Sequence, residues 1–345
     1  MLTVREISSV EDSRAWDEFV LTHPQATGYH LTAWRRVMEV GFGHRAFYLI
    51  AEDECRAVRG VLPLVFLASR LFGRFLVSMP YVNYGGFLVD TLEAQEELLK
   101  SAVDLAKDLG AAHIELRQQE KPNLKWPVRQ RKVSMRLELP EKFENLWRRF
   151  PSKLRSQVRR AEKGWMTARI GSGEMLDDFY RVFSRNMRDL GTPVYGRNVF
   201  RMILETFPDD ARICVVYLAG RPVAAGFLYG FQQKLEIPWA SADRRYKNLA
   251  PNMLLYSSAL EYACRTGSRC FDFGRSTPGT GTFRFKEQWG AQPVPLHWYY
   301  WLGNGRPLQE LSPENPRYGF AIEVWRRLPV ALTRIIGPAI VRNIP

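Results

Sequence analysis

Two pairs of segments in this chain can be laid over each other, and that self-similarity constrains the fold more than any single motif. "RAFYLIAEDECRAVRGVLPLVFL" (Arg45–Leu67) reads as strand, polar turn, strand, and so does "ARICVVYLAGRPVAAGFLYGFQ" (Ala211–Gln232), with Ala219-Gly220-Arg221-Pro222 as its turn. The second matched pair runs helix, glycine, strand. "AQEELLKSAVDLAKDLGAAHIELR" leaves a helix at Gly110 and "NMLLYSSALEYACRTGSRCFDFGR" leaves one at Gly267. A glycine just past the last helical turn takes positive φ without strain. Asp90, with Glu93 three residues on, supplies an N-terminal box for the first of these helices. Helical text precedes each hairpin: "SSVEDSRAWDEFV" and "TAWRRVMEV" first, then "GEMLDDFYRVFSRNMRDLG" and "GRNVFRMILETF". The order helix, helix, strand, strand, further strand, helix, strand therefore occurs twice. It predicts an α/β protein of two duplicated domains with mixed, mainly antiparallel sheets. The first covers residues 1–140 and the second 141–305, followed by a basic amphipathic tail over 306–345.

The charge is concentrated between the two copies. Of a net +13, the stretch Lys121–Ile170 carries 15 Lys/Arg against 4 Asp/Glu, so most of the imbalance lies in one fifty-residue stripe. Such a stripe attracts phosphates on nucleic acid, lipid headgroups or a nucleotide-linked substrate. It lies where clefts between domains tend to bind ligands. With 46% hydrophobic and 25% charged residues the chain is neither disordered nor fibrous. Cys55, Cys214, Cys264 and Cys270 form no CxxC pair and sit in apolar text, which predicts buried structural thiols and no metal site. The opening "MLTVREISSVEDSRAW" lacks a basic segment followed by an apolar run, so no signal peptide is expected and a reducing cytoplasm is the expected compartment.

Within the stripe, "PSKLRSQVRRAEKGW" starts a helix at Pro151 and Ser152 and stops it at Gly164, giving the second domain a basic helix over 152–163. Leu154, Val158 and Ala161 make a narrow apolar seam, while Lys153, Arg155, Arg159, Arg160 and Lys163 cover the rest. Only Glu162 relieves these cations, and like charges four apart destabilise a bare helix by a few tenths of a kcal/mol. A solvated surface helix and an anion-binding helix are the two readings. "FDFGRSTPGTGTFRFKEQWGAQP" (Phe271–Pro293) begins as a strand with Asp272 opposite to Phe271 and Phe273, then empties into glycines and hydroxyls. Its open backbone together with Arg275, Arg284 and Lys286 suits a pyrophosphate; a surface loop is the other reading. The "FRFKEQWG" alternation indicates a return to ordered structure. "DRRYKNLAPNMLL" (Asp243–Leu255) turns from strand to helix and places Arg245, Asn248, Ala250 and Asn252 at the helix mouth, where N–H groups favour anions. In the first copy "PYVNYGGFL" (Pro80–Leu88) is the equivalent irregular patch, with Asn83 and Tyr84 as candidate substrate contacts or parts of a structural turn. GxSxG and HExxH are absent and the five histidines are scattered, which argues against covalent catalysis and zinc hydrolysis.

The tandem hairpin–helix arrangement, the "SKLRSQVRRAEKG" helix and the "FDFGRS…FRFKEQWGA" ending resemble the FemAB superfamily, two-domain transferases built from duplicated GNAT-like folds. More narrowly they resemble its branch associated with exosortase/PEP-CTERM exopolysaccharide loci. The resemblance covers roughly Leu2 to Leu302. It implies acyl or aminoacyl transfer to an amine on a cell-envelope or glycan precursor carrying a nucleotide or lipid pyrophosphate. It also implies that Lys286 contacts the acceptor's diphosphate and that Lys153, Arg155 and Arg159 add anion contacts. The GNAT signature Q/R-x-x-G-x-G/A corresponds here to R-Y-K-N-L-A, Arg245 to Ala250, with Asn248 in place of glycine. Acyl-CoA and aminoacyl-tRNA thus both stand as donor substrates, with no permanently bound cofactor.

An acceptor amine must lose a proton as it attacks the donor carbonyl. Asp272 and Glu236 are the candidate bases, Glu236 lying among apolar residues in "KLEIPWASA"; a structural salt bridge is the other reading of each. "AIEVWRRLPVALTRIIGPAIVRNIP" (Ala321–Pro345) mixes bulky apolar residues with Arg326, Arg327, Arg334 and Arg342, and its three prolines forbid one long helix. It suits either an anionic bilayer or packing on the body of the protein. The rival to a transferase is an RNA- or membrane-binding GNAT-like accessory protein without catalysis.

Overall fold

The computed structural model describes residues 2–69, 72–303 and 319–344. In chain order its first part holds β1 (Thr3–Glu6), α1 (Val10–Thr22), the single turn α2 (Trp34–Arg36), β2 (Arg45–Glu52), β3 (Val58–Ser69), β4 (Gly73–Val77) and β5 (Leu88–Val89). Next come α3 (Leu92–Asp108), β6 (His113–Gln118), β7 (Val128–Arg129), β8 (Val133–Glu138), α4 (Phe143–Arg149), α5 (Ser152–Lys163) and β9 (Met166–Gly171). The chain continues through α6 (Leu176–Leu190), α7 (Arg197–Thr206), β10 (Ala211–Leu218), β11 (Arg221–Phe231) and β12 (Lys234–Ala242). It ends with α8 (Pro251–Arg265), β13 (Cys270–Ser276), α9 (Gly281–Glu287), β14 (Gln292–Pro295), β15 (His297–Leu302), α10 (Gly319–Arg327) and α11 (Val330–Val341).

Two sheets repeat one plan. The first runs β1-β2-β3-β4-β6-β15-β7, with β5 paired to β3, and the second runs β14-β8-β13-β12-β11-β10-β9. Strands β1 to β4 pair antiparallel, β4 pairs parallel to β6, and β9 to β12 followed by β13 repeat the same sequence of pairings. The strand beside the parallel pair differs in origin. In the first sheet it is β15, which follows the second copy in the chain; in the second it is β8, which precedes that copy.

The compact units accordingly divide between Arg131 and Lys132, and β15 belongs to the first unit. This differs from the expected boundary after residue 140 and the expected assignment of everything to 305 to the second domain. The reason is hydrogen bonding: β6 and β13 would each leave a row of N–H and C=O groups open without an antiparallel neighbour, and the alternating "HWYYWL" strand supplies one to β6.

The first core packs α3, through Ala94, Leu98, Ala102 and Ala106, against Leu49, Leu62, Leu64, Leu76, Ile114 and Tyr299. The cap of α3 is Thr91, whose side chain accepts from the Ala94 N–H at 3.1 Å, one residue later than the predicted Asp90. The second core packs α8, α5 and α4 on the sheet through Leu146, Phe150, Leu154, Val158, Leu255, Ala259, Phe271 and Trp289. Helix α5 has the predicted bounds, and its buried seam is Leu154, Val158 and Ala161.

The tail forms α10 and α11, which pack on α6. Arg334 Nε donates to Ser184 Oγ at 2.8 Å, and Arg188 Nη1 donates to the Leu328 carbonyl at 2.9 Å. Pro338 lies inside α11, and residues 306–318 of the expected tail lie outside the described residues. No helix among the described residues is long and apolar enough to cross a membrane. Cys214 and Cys264 are buried and Cys270 is half-buried, but Cys55 is exposed, because it sits in the polar turn between β2 and β3.

Candidate functional site

In the second unit, strand alternation places apolar and charged residues on opposite faces of β8, β13 and β12. Leu235, Ile237, Phe271, Phe273 and Met135 enter the core. The intervening residues Lys234, Glu236, Asp272, Ser134 and Arg136 share the other face, since a pleated strand reverses side at each step. Asp272 is fully buried at 0% exposure and Glu236 is 3% exposed. They are register partners in the parallel pair, which brings the two predicted carboxylates side by side.

Donors from three residues hold Asp272. Its Oδ1 accepts from Ser134 Oγ at 2.5 Å and from the Gly274 N–H at 2.8 Å, and its Oδ2 accepts from Arg136 Nε at 3.2 Å. Gly274 has φ +74, a conformation that glycine takes without cost, and this turns its N–H back onto the carboxylate. The carbonyls on either side of the Gly274–Arg275 bond are held by Lys286 on α9: Nζ donates to Gly274 O and to Arg275 O, both at 2.9 Å. Lys286 is only 8% exposed. Burial lowers its pKa to about 8, against the pull of Asp272 and Glu236. The ammonium predicted to meet a diphosphate is thus committed to backbone.

The parallel ladder between β12 and β13 covers only Lys234–Glu236 and Cys270–Asp272. Past that point the strands part: β12 continues against β11 across an irregularity in register at Phe227/Tyr229, while β13 continues against β8. The end of β12 leads into a 3₁₀ segment, Arg244–Leu249, and then α8. This segment and the start of α8 hold the residues predicted to bind the donor. Arg245 forms a fork on Asp243, Nε to Oδ1 at 3.0 Å and Nη2 to Oδ2 at 2.6 Å. Asn248 is exposed and Asn252 is half-buried. Ala250 adopts the left-handed conformation at φ 55, a position glycine would take more easily. Pro251 offers no N–H and the Met253 N–H is bonded to Ala250 O at 2.9 Å, so this helix mouth presents fewer donors than an ordinary N-terminus.

The remaining predicted residues fall in three places. Lys153 and Arg159 are exposed and Arg155 is half-buried on α5, with Arg159 over the Trp147 ring at 6.0 Å. Arg275 and Arg284 are exposed, and Arg284 Nη2 donates to Gly279 O at 3.2 Å, closing the start of α9. The "FRFKEQWG" segment is ordered as expected but helical: Thr280 caps α9 by accepting from the Phe283 N–H at 3.4 Å. In the first unit Asn83 and Tyr84 are buried within the loop that follows β4.

That loop packs over β6. The Gly85 N–H donates to Arg117 O at 3.1 Å, and the Arg117 N–H donates to Ser78 Oγ at 2.8 Å. Sequence reading missed Arg117, which is 1% exposed, pairs with Glu115 at 2.7 Å and stacks 4.4 Å over Trp298. Its alternation with Glu115 on a strand was the signal.

Residues 148–287 match the model of the acetyltransferase (GNAT) domain. No protein among the curated sequences matches the chain. Among solved structures, FemX is similar over 93% of this chain and 100% of its own, at TM-score 0.66 and 17% identity. A tandem GNAT protein from the clavulanic acid biosynthesis pathway is similar over 90% of this chain and 100% of its own, at TM-score 0.54 and 12% identity. L-PGS from Bacillus licheniformis is similar over 95% and 97%, at TM-score 0.53 and 13% identity. With two sheets of one strand plan and a GNAT-domain match within the second copy, the chain has the tandem GNAT-like fold of FemX and the tandem GNAT protein.

Proposed function

We propose that this protein is an N-acyltransferase or aminoacyltransferase that modifies an amine on a nucleotide- or lipid-pyrophosphate-linked glycan or cell-envelope precursor, as in exosortase/PEP-CTERM exopolysaccharide systems. The observation that carries the reading is the parting of β12 and β13 directly beside Glu236 and Asp272. Two parallel strands that separate expose backbone N–H and C=O groups which an extended acyl donor can use as a third strand uses them. The donor is acyl-CoA or aminoacyl-tRNA.

In the reaction the acceptor amine attacks the donor carbonyl, a C–N bond forms, and the thioester or ester bond to the carrier breaks. The proton leaving the amine goes to a carboxylate. Asp272 is held by Ser134, Gly274 and Arg136, and in this reading it orients the strand end while Glu236, its register partner, accepts the proton. The cations of α5 and of the loop around α9, Lys153, Arg155, Arg159, Arg275 and Arg284, supply positive potential for a phosphate-bearing acceptor. In the tail, Phe320 at 83% and Ile335 at 74% exposure present apolar bulk beside Arg326 and Arg327, which fits a peripheral site on an anionic bilayer at its cytoplasmic side.

The test is transfer of a labelled acyl group to UDP-linked and lipid-linked aminosugars, from acyl-CoA and from charged tRNA in separate reactions. Glu236→Gln should lower turnover about 100-fold or more while leaving the melting temperature unchanged. Turnover near wild type in that variant removes the base assignment, and no transfer from either donor class removes the transferase reading.

A further inference from the structure

Beside the segment that leads into α8, the second unit holds a hollow of about 220 Å³ whose lining includes Arg181, Arg185, Arg221, Asp243, Arg245 and Tyr246. Three separate elements build it. Arg181 and Arg185 stand one turn apart on α6, Arg221 opens β11 after a hairpin turn whose Ala219 and Gly220 both have positive φ, and Arg245 leads the segment after β12. The hairpin and the end of β12 are tied together by the Asp243 N–H donating to Val223 O at 2.8 Å.

Four guanidiniums meet one carboxylate here. Asp243, buried at 4% exposure, takes the fork from Arg245 and lies 3.6 Å from Arg185 Nε. Arg181 and Arg221 are exposed and form no ion pair among the described residues. Like charges at i,i+4 on a helix destabilise it. Asp243 pairs with Arg185 and Arg245, and Arg181, one turn before Arg185 on α6, and Arg221 of β11 also line that hollow. Planar guanidiniums converging from several directions match the oxygens of a phosphate chain, which each can bind two at a time.

We propose that this hollow binds the polyphosphate group of a small molecule, with Arg181 and Arg221 as the discriminating contacts. It goes beyond the transferase reading, which placed phosphate contacts on α5 and on Arg275 and Arg284 around α9; of the residues expected to meet the donor, only Arg245 is shared. Neither Lys286 nor any cation of α5 lines it. The group could come from a nucleoside diphosphate or from an isoprenyl diphosphate, and the assay separates these sources.

Isothermal titration calorimetry of the full chain with inorganic pyrophosphate, ADP and geranyl diphosphate tests the assignment without requiring any transfer activity. Pyrophosphate should bind, and Arg181→Ala and Arg221→Ala should each weaken it about tenfold or more, since a hydrogen bond to a charged group contributes on that scale. Both side chains are exposed, so both variants should keep the wild-type melting temperature; Arg265→Ala, outside the hollow, is the control. Tighter binding of ADP than of pyrophosphate identifies a nucleotide ligand, and tighter binding of geranyl diphosphate a lipid one. Absence of pyrophosphate binding overturns the proposal, as does binding that Arg181→Ala and Arg221→Ala leave unchanged. Loss of binding in Arg155→Ala or Arg159→Ala alone also overturns it, while leaving the transferase reading intact.

Discussion

Asp272 is the residue whose removal separates structure from chemistry. In Asp272→Ala the Ser134 hydroxyl and the Gly274 N–H, both buried, lose this acceptor, and Arg136 loses its ion pair with Asp272. A stranded buried neutral donor costs about 1–3 kcal/mol. Arg136 keeps 22% of its side chain exposed and can recover hydration, so it adds less. The total is about 3–5 kcal/mol, the range seen when one partner of a buried charged network is deleted. For a unit of this size that corresponds to a fall in melting temperature of roughly 6–20 °C. Asp272→Asn keeps Oδ1 as acceptor for Ser134 and Gly274 but turns an amide donor toward Arg136, which is part-exposed and can move aside, so it should show a smaller loss than Asp272→Ala. Urea unfolding followed by tryptophan fluorescence reads both variants, because Trp289 lies in the core of the same unit. The reasoning fails if Asp272→Ala unfolds within about 1 kcal/mol of wild type. It also fails if Asp272→Asn abolishes acyl transfer with stability intact, for then the carboxylate performs chemistry.

Two further predictions use other parts of the molecule. Burial holds the Lys286 pKa at about 8, below its ordinary 10.5, so between these values the unfolded chain binds more protons than the folded one. Stability contributed by this group therefore rises as pH increases from about 8 to about 10.5; relative to Lys286→Met, wild type should gain up to about 3 kcal/mol across that window, and a difference that stays flat with pH disproves the linkage. The exposed Phe320 and Ile335 predict that the full chain floats with vesicles containing anionic lipid and that a chain ending at Tyr318 does so less. Equal flotation of both removes the tail from membrane binding.

What the sequence could carry was local. Helix α5 was legible to the residue because Pro151 and Gly164 punctuate it and its apolar positions recur at helical spacing. The hairpins and the two glycine-terminated helices were legible for the same reason, and a repeat of the whole order pointed to duplication. The α9 segment was misleading: in "FRFKEQWG" the phenylalanines alternate as in a strand, yet Phe283 and Phe285 both pack against the core from a helix capped by Thr280. Two apolar residues in seven positions do not define a period, and the cap decided it. Lys286 illustrates a different limit. A lysine in a glycine-rich loop reads as a free cation, and only three-dimensional closure shows its ammonium bonded to the carbonyls that flank the Gly274–Arg275 bond.

The least legible feature was also the one that sets the architecture. Nothing in "HWYYWL" says that it pairs with His113–Gln118 rather than with the copy it follows, since its alternation satisfies either sheet. The choice is made by availability: β13 already has β8 on its open side, through Cys270, Phe271 and Asp272, and β6 has no such strand from its own copy. Each repeat therefore obtains the strand that completes its sheet from beyond its own boundary. The exchange has a consequence for the charged face. Ser134 and Arg136, both donors to Asp272, come from β8, a strand that belongs to neither of the repeated sequence blocks. The first copy has β15 in that place, and a tyrosine and a tryptophan, Tyr300 and Trp298, stand opposite Glu115 and Arg117. Duplication supplied both sheets and a buried carboxylate at the end of each parallel ladder, but the donors differ: Ser134 and Arg136 of β8 hold Asp272, whereas Arg117 of β6 and Tyr300 of β15 hold Glu115.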